Sequence, residues 1–355
     1  MRIYYYHTID AKTVHDRWQQ GLLPSHLLYG ACTLERKGHH VIYHHPVYRA
    51  QRWRIALDTL KALWRRRKEY DIVYATTFRG LELIVFLRAL RLFPRPIVCW
   101  HHQPIVKAKQ PLRELVARLF YKGFDELCFF SQSLVDVSLQ SVKAPVGHMH
   151  VVPWGADLEW YDRLRTENPV GQRHGFVSTG KERRDMPTLV KALAVCPQEE
   201  LDIYICRESL GINYERLFEQ LRPSANVHVH FVQGDVIRST ALKVWQSQGA
   251  VICCLPTNYT TGLTTVVEAM ALGVPVVCTV NRQMPMDIGK ERMGLVVDVG
   301  DVSGWSKAIT YLSAHPDEAA AFGRNGRRLA ETMYNEKQCA AVAETILRKA
   351  LKGTE

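Results

Sequence analysis

Runs of β-branched and aromatic residues alternate with stretches of helical period along this chain, and the alternation occurs twice. In the first half it predicts strands near residues 2–6, 40–44, 72–75, 96–100 and 126–130, separated by helices near 21–37, 50–68, 79–91 and 112–122. A helix after each strand covers the faces of a sheet, so the strands run mostly parallel and the sheet is doubly wound. A polar stretch from Arg163 to His174 interrupts the pattern, which restarts with strands at 175–179, 201–206, 227–232, 251–255 and 275–279. From about Pro316 to Lys352 the chain reads as wholly helical. A length of 355 residues suits two domains. The expected fold is α/β, with two Rossmann-like, doubly wound domains in tandem and ligands at the carboxyl ends of strands.

Composition removes several alternatives. With 47% hydrophobic and 23% charged residues the chain is neither disordered nor a coiled coil. Met1 to Tyr6 reads as a strand rather than a leader, and no run of about 18 apolar residues exists, so a cytoplasmic chain without a membrane span is expected. The nine cysteines include no Cys-x-x-Cys pair and mostly sit in apolar runs, which predicts reduced core thiols and no metal site.

Charge is concentrated in one half. Residues 1–170 hold 25 Lys and Arg against 15 Asp and Glu, a balance of +10, which leaves 21 against 20 for residues 171–355. Eight of these bases lie between Arg49 and Lys68, with only Asp58 to offset them. An anionic surface suits that half as a neighbour. Within it, Trp53, Leu57, Leu60 and Trp64 form one helical stripe, expected to pack on the sheet while the bases face water or lipid headgroups.

The most informative segment runs from Thr260 to Val277. Its order is strand, small-residue loop, helix, Gly273-Val274-Pro275, strand. Gly262 lets a ligand approach the backbone, and Thr264 and Thr265 place hydroxyls beside the free amides of a helix start, where phosphate is favoured. This is a diphosphate cradle. Glu268, a turn further on, is placed to accept hydrogen bonds from a diol such as ribose. Earlier, Phe176 to Leu189 places Gly180, Lys181 and Arg184 after a strand, supplying positive charge where a diphosphate leaving group gains negative charge.

The Thr260–Val277 segment resembles the donor-binding signature of GT-B-type glycosyltransferases, in particular the large retaining nucleotide-sugar family known as glycosyl transferases group 1. The resemblance implies two domains facing across a cleft, with boundaries near 1–168 and 169–332 and a final helix, 333–355, crossing back onto the N-terminal domain. It implies that Glu268 holds the ribose and that Gly262, Leu263, Thr264 and Thr265 meet the diphosphate. Lys181 and Arg184 are similar in place to the family's cationic pair, and Gly234 and Val236 lie in a segment like the one bordering the nucleotide base. Thr260 stands where the family usually carries a glutamate on the donor sugar. In the first half, Gly21 resembles the first glycine of a donor-phosphate loop. His101 and His102 resemble a strand end that carries an active-site histidine, and register decides which of the two points inward. Val151 to Asp157 resembles the segment before the interdomain link.

The activity these readings imply is a hexosyl transfer from a nucleotide-diphosphate sugar, UDP being the expected nucleotide, without a metal. The expected acceptor is a glycan or lipid-linked molecule of bacterial surface polysaccharide synthesis, at the inner face of the membrane. A nucleotide-sugar epimerase of the same fold is the rival enzyme reading. A non-enzymatic binder of nucleic acid is the other, and no nucleic-acid motif supports it.

Overall fold

The computed structural model describes residues 1–47, 51–180, 183–209 and 211–353. They form two compact units, one of Met1–Trp154 together with Glu336–Glu355, the other of Gly155–Asn335. The helix that follows Asp157 thus belongs to the second unit, where the sequence reading had placed the division near residue 168.

The first unit holds six strands, β1 (Arg2–Tyr6), β2 (His40–Tyr43), β3 (Ile72–Ala75), β4 (Ile97–Trp100), β5 (Glu126–Phe129) and β6 (Met149–Val151). Their order is β2-β1-β3-β4-β5-β6, with every pair parallel. Strands β3, β4 and β5 are buried at every residue, as strands covered on both faces must be. The connecting helices are α1 (Ala11–Gln19), α2 (Ala31–Arg36), α3 (Arg52–Arg65), α4 (Glu82–Ala89), α5 (Pro111–Tyr121) and α6 (Gln132–Leu139).

Two expectations for this unit are corrected. A helix was expected over 21–37, but the chain makes α1 first and then a short 3-10 turn, Ser25–Leu28, before α2. Gly21 stops α1: at φ 75° its N–H reaches Trp18 O at 2.7 Å while Leu22 N–H reaches Arg17 O at 2.9 Å, a Schellman closure. Pro24 in extended backbone and left-handed Tyr29 and Gly30 then keep the turn and α2 apart. The second correction concerns α3. Ala56, Thr59 and Leu63 face the core, whereas Trp53 is 58% and Trp64 40% exposed. The larger, aromatic stripe is the one left outside.

The second unit contains β7 (Phe176–Thr179), β8 (Leu201–Ile205), a small hairpin of β9 (Glu208–Ser209) and β10 (Ile212–Asn213), β11 (Val227–Phe231), β12 (Gly249–Ile252), β13 (Val276–Thr279) and β14 (Gly294–Val297). The main sheet runs β11-β8-β7-β12-β13-β14, all parallel. Setting the hairpin aside, the order is third, second, first, fourth, fifth, sixth, the Rossmann arrangement, with its reversal between β7 and β12. Helices α7 (Leu158–Glu167), α8 (Met186–Ala194), α9 (Tyr214–Leu221), α10 (Ile237–Gln246), α11 (Leu263–Leu272), α12 (Val302–Ala314) and α13 (Pro316–Thr332) complete it. Leu189, Leu193, Val251, Val277, Trp305 and Ile309 are among the residues of its core.

The long terminal helix is two helices, α13 and α14 (Glu336–Lys352), broken at Met333 to Asn335. The break is made by a backbone crossing. Ala156 N–H donates to Tyr334 O at 3.1 Å, and a Cβ on Gly155 would lie only 1.8 Å from the Tyr334 carbonyl carbon. Helix α14 packs in the first unit against α2, β3, β4 and β5. Among the described residues no helix is long and apolar enough to cross a membrane.

Candidate functional site

A sheet whose strand order reverses leaves a crevice at the carboxyl ends of the two strands where the connections part. In the second unit these are β7 and β12, and the cradle residues converge there. Beyond Thr179 the chain turns through Gly180 at φ 100°, and Arg183 to Asp185 comes back to pair antiparallel with the segment after β12. Asp185 N–H donates to Cys253 O at 3.0 Å and Leu255 N–H to Arg183 O at 2.8 Å. Asp185 then caps α8 by accepting from Thr188 N–H at 3.2 Å.

That return carries Arg184 beneath the start of α11. Its buried guanidinium donates twice to Thr179 O, at 3.1 and 2.8 Å, to Thr265 Oγ1 at 3.3 Å and to Cys254 Sγ at 3.1 Å. A Cβ at Gly180 would lie 2.2 Å from the end of the Arg184 side chain, which would have to shift, and the φ of 100° itself favours glycine. Lys181, the partner expected from sequence, lies outside the described residues. A Lys-Glu-Arg-Arg run reads as a solvated loop; only the pairing with residues 253–255 shows that Arg184 is drawn inside.

Helix α11 opens at Gly262, φ 89°, where a Cβ would press on Ile252 Cγ2 at 2.7 Å. The Leu263 N–H is taken by Thr260 O at 3.1 Å. The Thr264 and Thr265 N–H groups find no acceptor among the described residues, and Thr264 is exposed while Thr265 is buried. The two threonines therefore differ: the Thr265 hydroxyl is spent on Arg184, and the Thr264 hydroxyl faces out. At the opposite end Arg173 donates to Gly273 O at 3.0 Å and Arg327 to Ala271 O at 2.7 Å. The negative end of the helix dipole is thus neutralised by cations, and the positive end is left to attract an anion.

Glu268 sits on α11, buried, and accepts from the Tyr161 hydroxyl of α7 at 3.4 Å. Burial pushes its carboxyl up to about 8, with the Tyr161 bond working against that shift. Tyr161 was not foreseen. Its only sequence signal is its place four residues after Asp157, which caps α7 by accepting from Trp160 N–H at 3.1 Å.

Gly234 and Val236 lie in the loop between β11 and α10, two strands from β7 along the sheet. Gly234 is exposed with φ 74° and open space about it, and the Val236 carbonyl at the start of α10 accepts from Thr240 N–H at 2.8 Å.

In the first unit the order change falls between β1 and β3, and the histidines beyond β4 separate by register. His101 is core. Its Nδ1 bonds Gln103 O at 2.7 Å, its Nε2 bonds the Tyr121 hydroxyl at 2.8 Å, and its ring stacks on Phe78 and Phe129. Burial holds it down to about 4, so it is neutral, with the proton on Nδ1 for the carbonyl. His102 is exposed and stacks on Tyr29 at 6.0 Å. His7, at the end of β1, accepts from Ile9 N–H at 3.0 Å and packs on Tyr29 at 6.1 Å; burial, with His102 nearby, lowers it to about 4. Sequence reasoning passed over His7 and Tyr29, because neither belongs to a motif. Gly21 ends α1, as described above. Among the described residues no group of three or more His, Cys, Asp or Glu could hold a metal ion.

Residues 174–329 match the model of a family described as glycosyl transferases group 1. An MMP alpha-(1->4)-mannosyltransferase from Mycolicibacterium hassiacum is 26% identical over 320 residues, spanning 83% of this chain and 74% of that protein. Two solved structures share the fold: sucrose-phosphate synthase from Thermosynechococcus elongatus, with TM-score 0.73, 17% identity and 99% of each chain covered, and Anabaena HepE in complex with UDP, with TM-score 0.63, 15% identity, 98% of this chain and 99% of that one.

Proposed function

We propose a donor and a reaction for this chain, which is a GT-B glycosyltransferase and whose residues 174–329 carry the glycosyl transferases group 1 module. It transfers a hexose from a UDP-sugar to an acceptor bound by the first unit. The observation that carries the reading is the convergence of Arg184, Gly180, Gly262 and the Thr264 and Thr265 amides at the carboxyl ends of β7 and β12. As the glycosidic bond breaks, its electron pair leaves with the β-phosphate. The α11 amides and the Thr264 hydroxyl meet the growing negative charge, with Arg184 as a fixed positive charge behind the first turn. Lys181 adds a second cation by its place in the sequence, and together these charges serve in place of a metal ion. Glu268, steadied by Tyr161, takes the ribose hydroxyls, and the Gly234 and Val236 loop borders the base.

UDP is supported by the Anabaena neighbour, which holds that nucleotide. In the first unit, His102, with His7 and Tyr29 at the same sheet edge, is proposed to meet the acceptor. The excess of bases there favours a lipid-linked or polyanionic acceptor at an anionic membrane, as in surface polysaccharide synthesis. A thermal-shift panel of UDP, GDP and ADP sugars tests the donor. UDP sugars should raise the melting temperature, since a ligand at 100 times its Kd adds about 2.7 kcal/mol. Glu268→Ala should abolish most of that rise, and transfer should survive EDTA. A rise from GDP sugars alone overturns the nucleotide; conversion of donor without acceptor would mean epimerisation.

A further inference from the structure

Helix α5 sends Phe120 and Tyr121, both half-buried, inward to Phe86 and His101. Of its residues only Glu114 is buried, its carboxylate held by Ala108 N–H at 2.7 Å, Lys143 at 3.0 Å and Arg118 at 3.1 Å. Its outward stripe is apolar: Leu112, Leu115 and Val116 are 73%, 65% and 47% exposed. A crossover helix ordinarily turns such a stripe to the sheet. An apolar patch left in water marks an interaction surface.

The charge around the patch has one sign. Lys107, Lys109, Arg113 and Lys122 are exposed, and the single acid between residues 104 and 122, Glu114, is buried and paired with cations. Helix α4 packs beside α5, and α3 beside α4. There Trp53 and Leu57 of α3 and Leu83 of α4 line a groove of about 630 Å³ together with the Arg52–Glu82 ion pair, and Arg54 and Arg79 are exposed nearby. In a parallel sheet every helix after a strand begins at the carboxyl edge, so the starts of α3, α4 and α5 share the edge where His7 and His102 lie.

Leucine and tryptophan side chains ringed by ammonium and guanidinium groups fit the boundary of an anionic bilayer, the apolar groups entering beneath the headgroups and the cations meeting phosphate. We propose that this edge of the first unit docks on an anionic lipid bilayer through the outward stripe of α5, with the α3–α4 groove beside it. A second copy of the chain fits less well, because a symmetric contact sets the same bases against each other. The proposal gives a surface to the membrane part of the function proposed above. It rests on the first unit alone and is independent of the donor site.

The test sediments the full chain with vesicles of phosphatidylcholine, with and without phosphatidylglycerol. The chain should pellet only with the anionic vesicles, and less so as salt rises. Lys107→Glu with Lys109→Glu should lower the partition by at least about 25-fold, each base being worth roughly fivefold near a charged membrane. Leu112→Ser with Leu115→Ser should lower it at least about tenfold, given the apolar area lost. Both double variants should keep the wild-type melting temperature and UDP-sugar shift, which separates docking from folding and from donor binding. Loss of the sugar shift in the wild type, with vesicle binding intact, would remove the donor reading and leave docking standing. A leucine variant that pellets like wild type overturns the proposal, as does a wild-type chain that ignores both vesicles and migrates as a dimer broken by the leucine variant.

Discussion

Glu268 is a carboxyl group placed where ionisation is costly, and this has a measurable sign. Burial raises it from the ordinary 4.5 to about 8, so the folded chain keeps it protonated through a range in which the unfolded chain has already released the proton. Its contribution to stability is therefore complete below pH 4.5, declines as pH rises toward 8, and is gone above that. Glu268→Gln removes the penalty without changing shape. The variant should melt at the wild-type temperature near pH 4.5 and several degrees above wild type at pH 8, while its UDP-sugar shift falls; calorimetry across that range reads both. A variant curve parallel to wild type would place the Glu268 carboxyl in an environment where it ionises normally. Tyr161 is part of the same argument, because its hydroxyl opposes the upward shift, and Tyr161→Phe should widen the difference.

Helix α11 was the most legible element, since glycine at both ends, small hydroxyls at the start and Gly-x-Pro at the finish are each demanded by local backbone geometry. The structure places Gly262 at φ 89° and Gly273 at φ 64°, where other residues are strained. Its asymmetric electrostatics give a prediction with two opposite signs. Thr264→Asp puts a carboxylate at the positive end of the dipole, which should leave the free protein as stable or slightly more so, by about 0.3–1 kcal/mol. In the proposed donor site the same charge would face the incoming diphosphate, so donor affinity should drop at least tenfold. Thermal melts with and without UDP-sugar separate the two, and equal affinity would mean that the diphosphate binds elsewhere. What could not be read locally depends on distant partners. The burial of Arg184 needs residues 253–255 to pair with it, and the division of labour between His101 and His102 needs the register of β4 against β5. Helix α3 shows the same limit from the other side: its period was correct, but a period does not say which of two stripes meets the sheet, and Ala56, Thr59 and Leu63 took that place over the tryptophans.

At the scale of the molecule, the first unit is discontinuous in sequence, and its last piece arrives after the whole second unit has been made. Helix α14 is integral to it. Cys339, Ala340, Ala343, Ile346, Leu347 and Ala350 are all buried, and a Cβ on Gly30 would lie 2.9 Å from Ala340 Cα, so α2 and α14 pack with almost no gap. Polar contacts lock the register: Thr33 N–H donates to Glu336 at 3.2 Å, Lys37 and His39 reach Glu344 at 2.9 and 3.0 Å, and Lys349 reaches Glu126 at 2.9 Å. Ile346 and Leu347 alone represent about 3–6 kcal/mol of burial, a large share of the roughly 5–15 kcal/mol that holds a domain together. The second unit, by contrast, is continuous from Gly155 to Asn335 and contains every residue of the proposed donor site on α11 and after β7. A chain ending at Asn335 should therefore lose the first unit and keep the second. Calorimetry should show one transition surviving, raised by UDP-sugar as in the full chain, while transfer to any acceptor disappears. A truncated chain that still transfers sugar would show that α14 is dispensable to the first unit, and one that loses the UDP-sugar response would show that the donor site depends on more than the second unit.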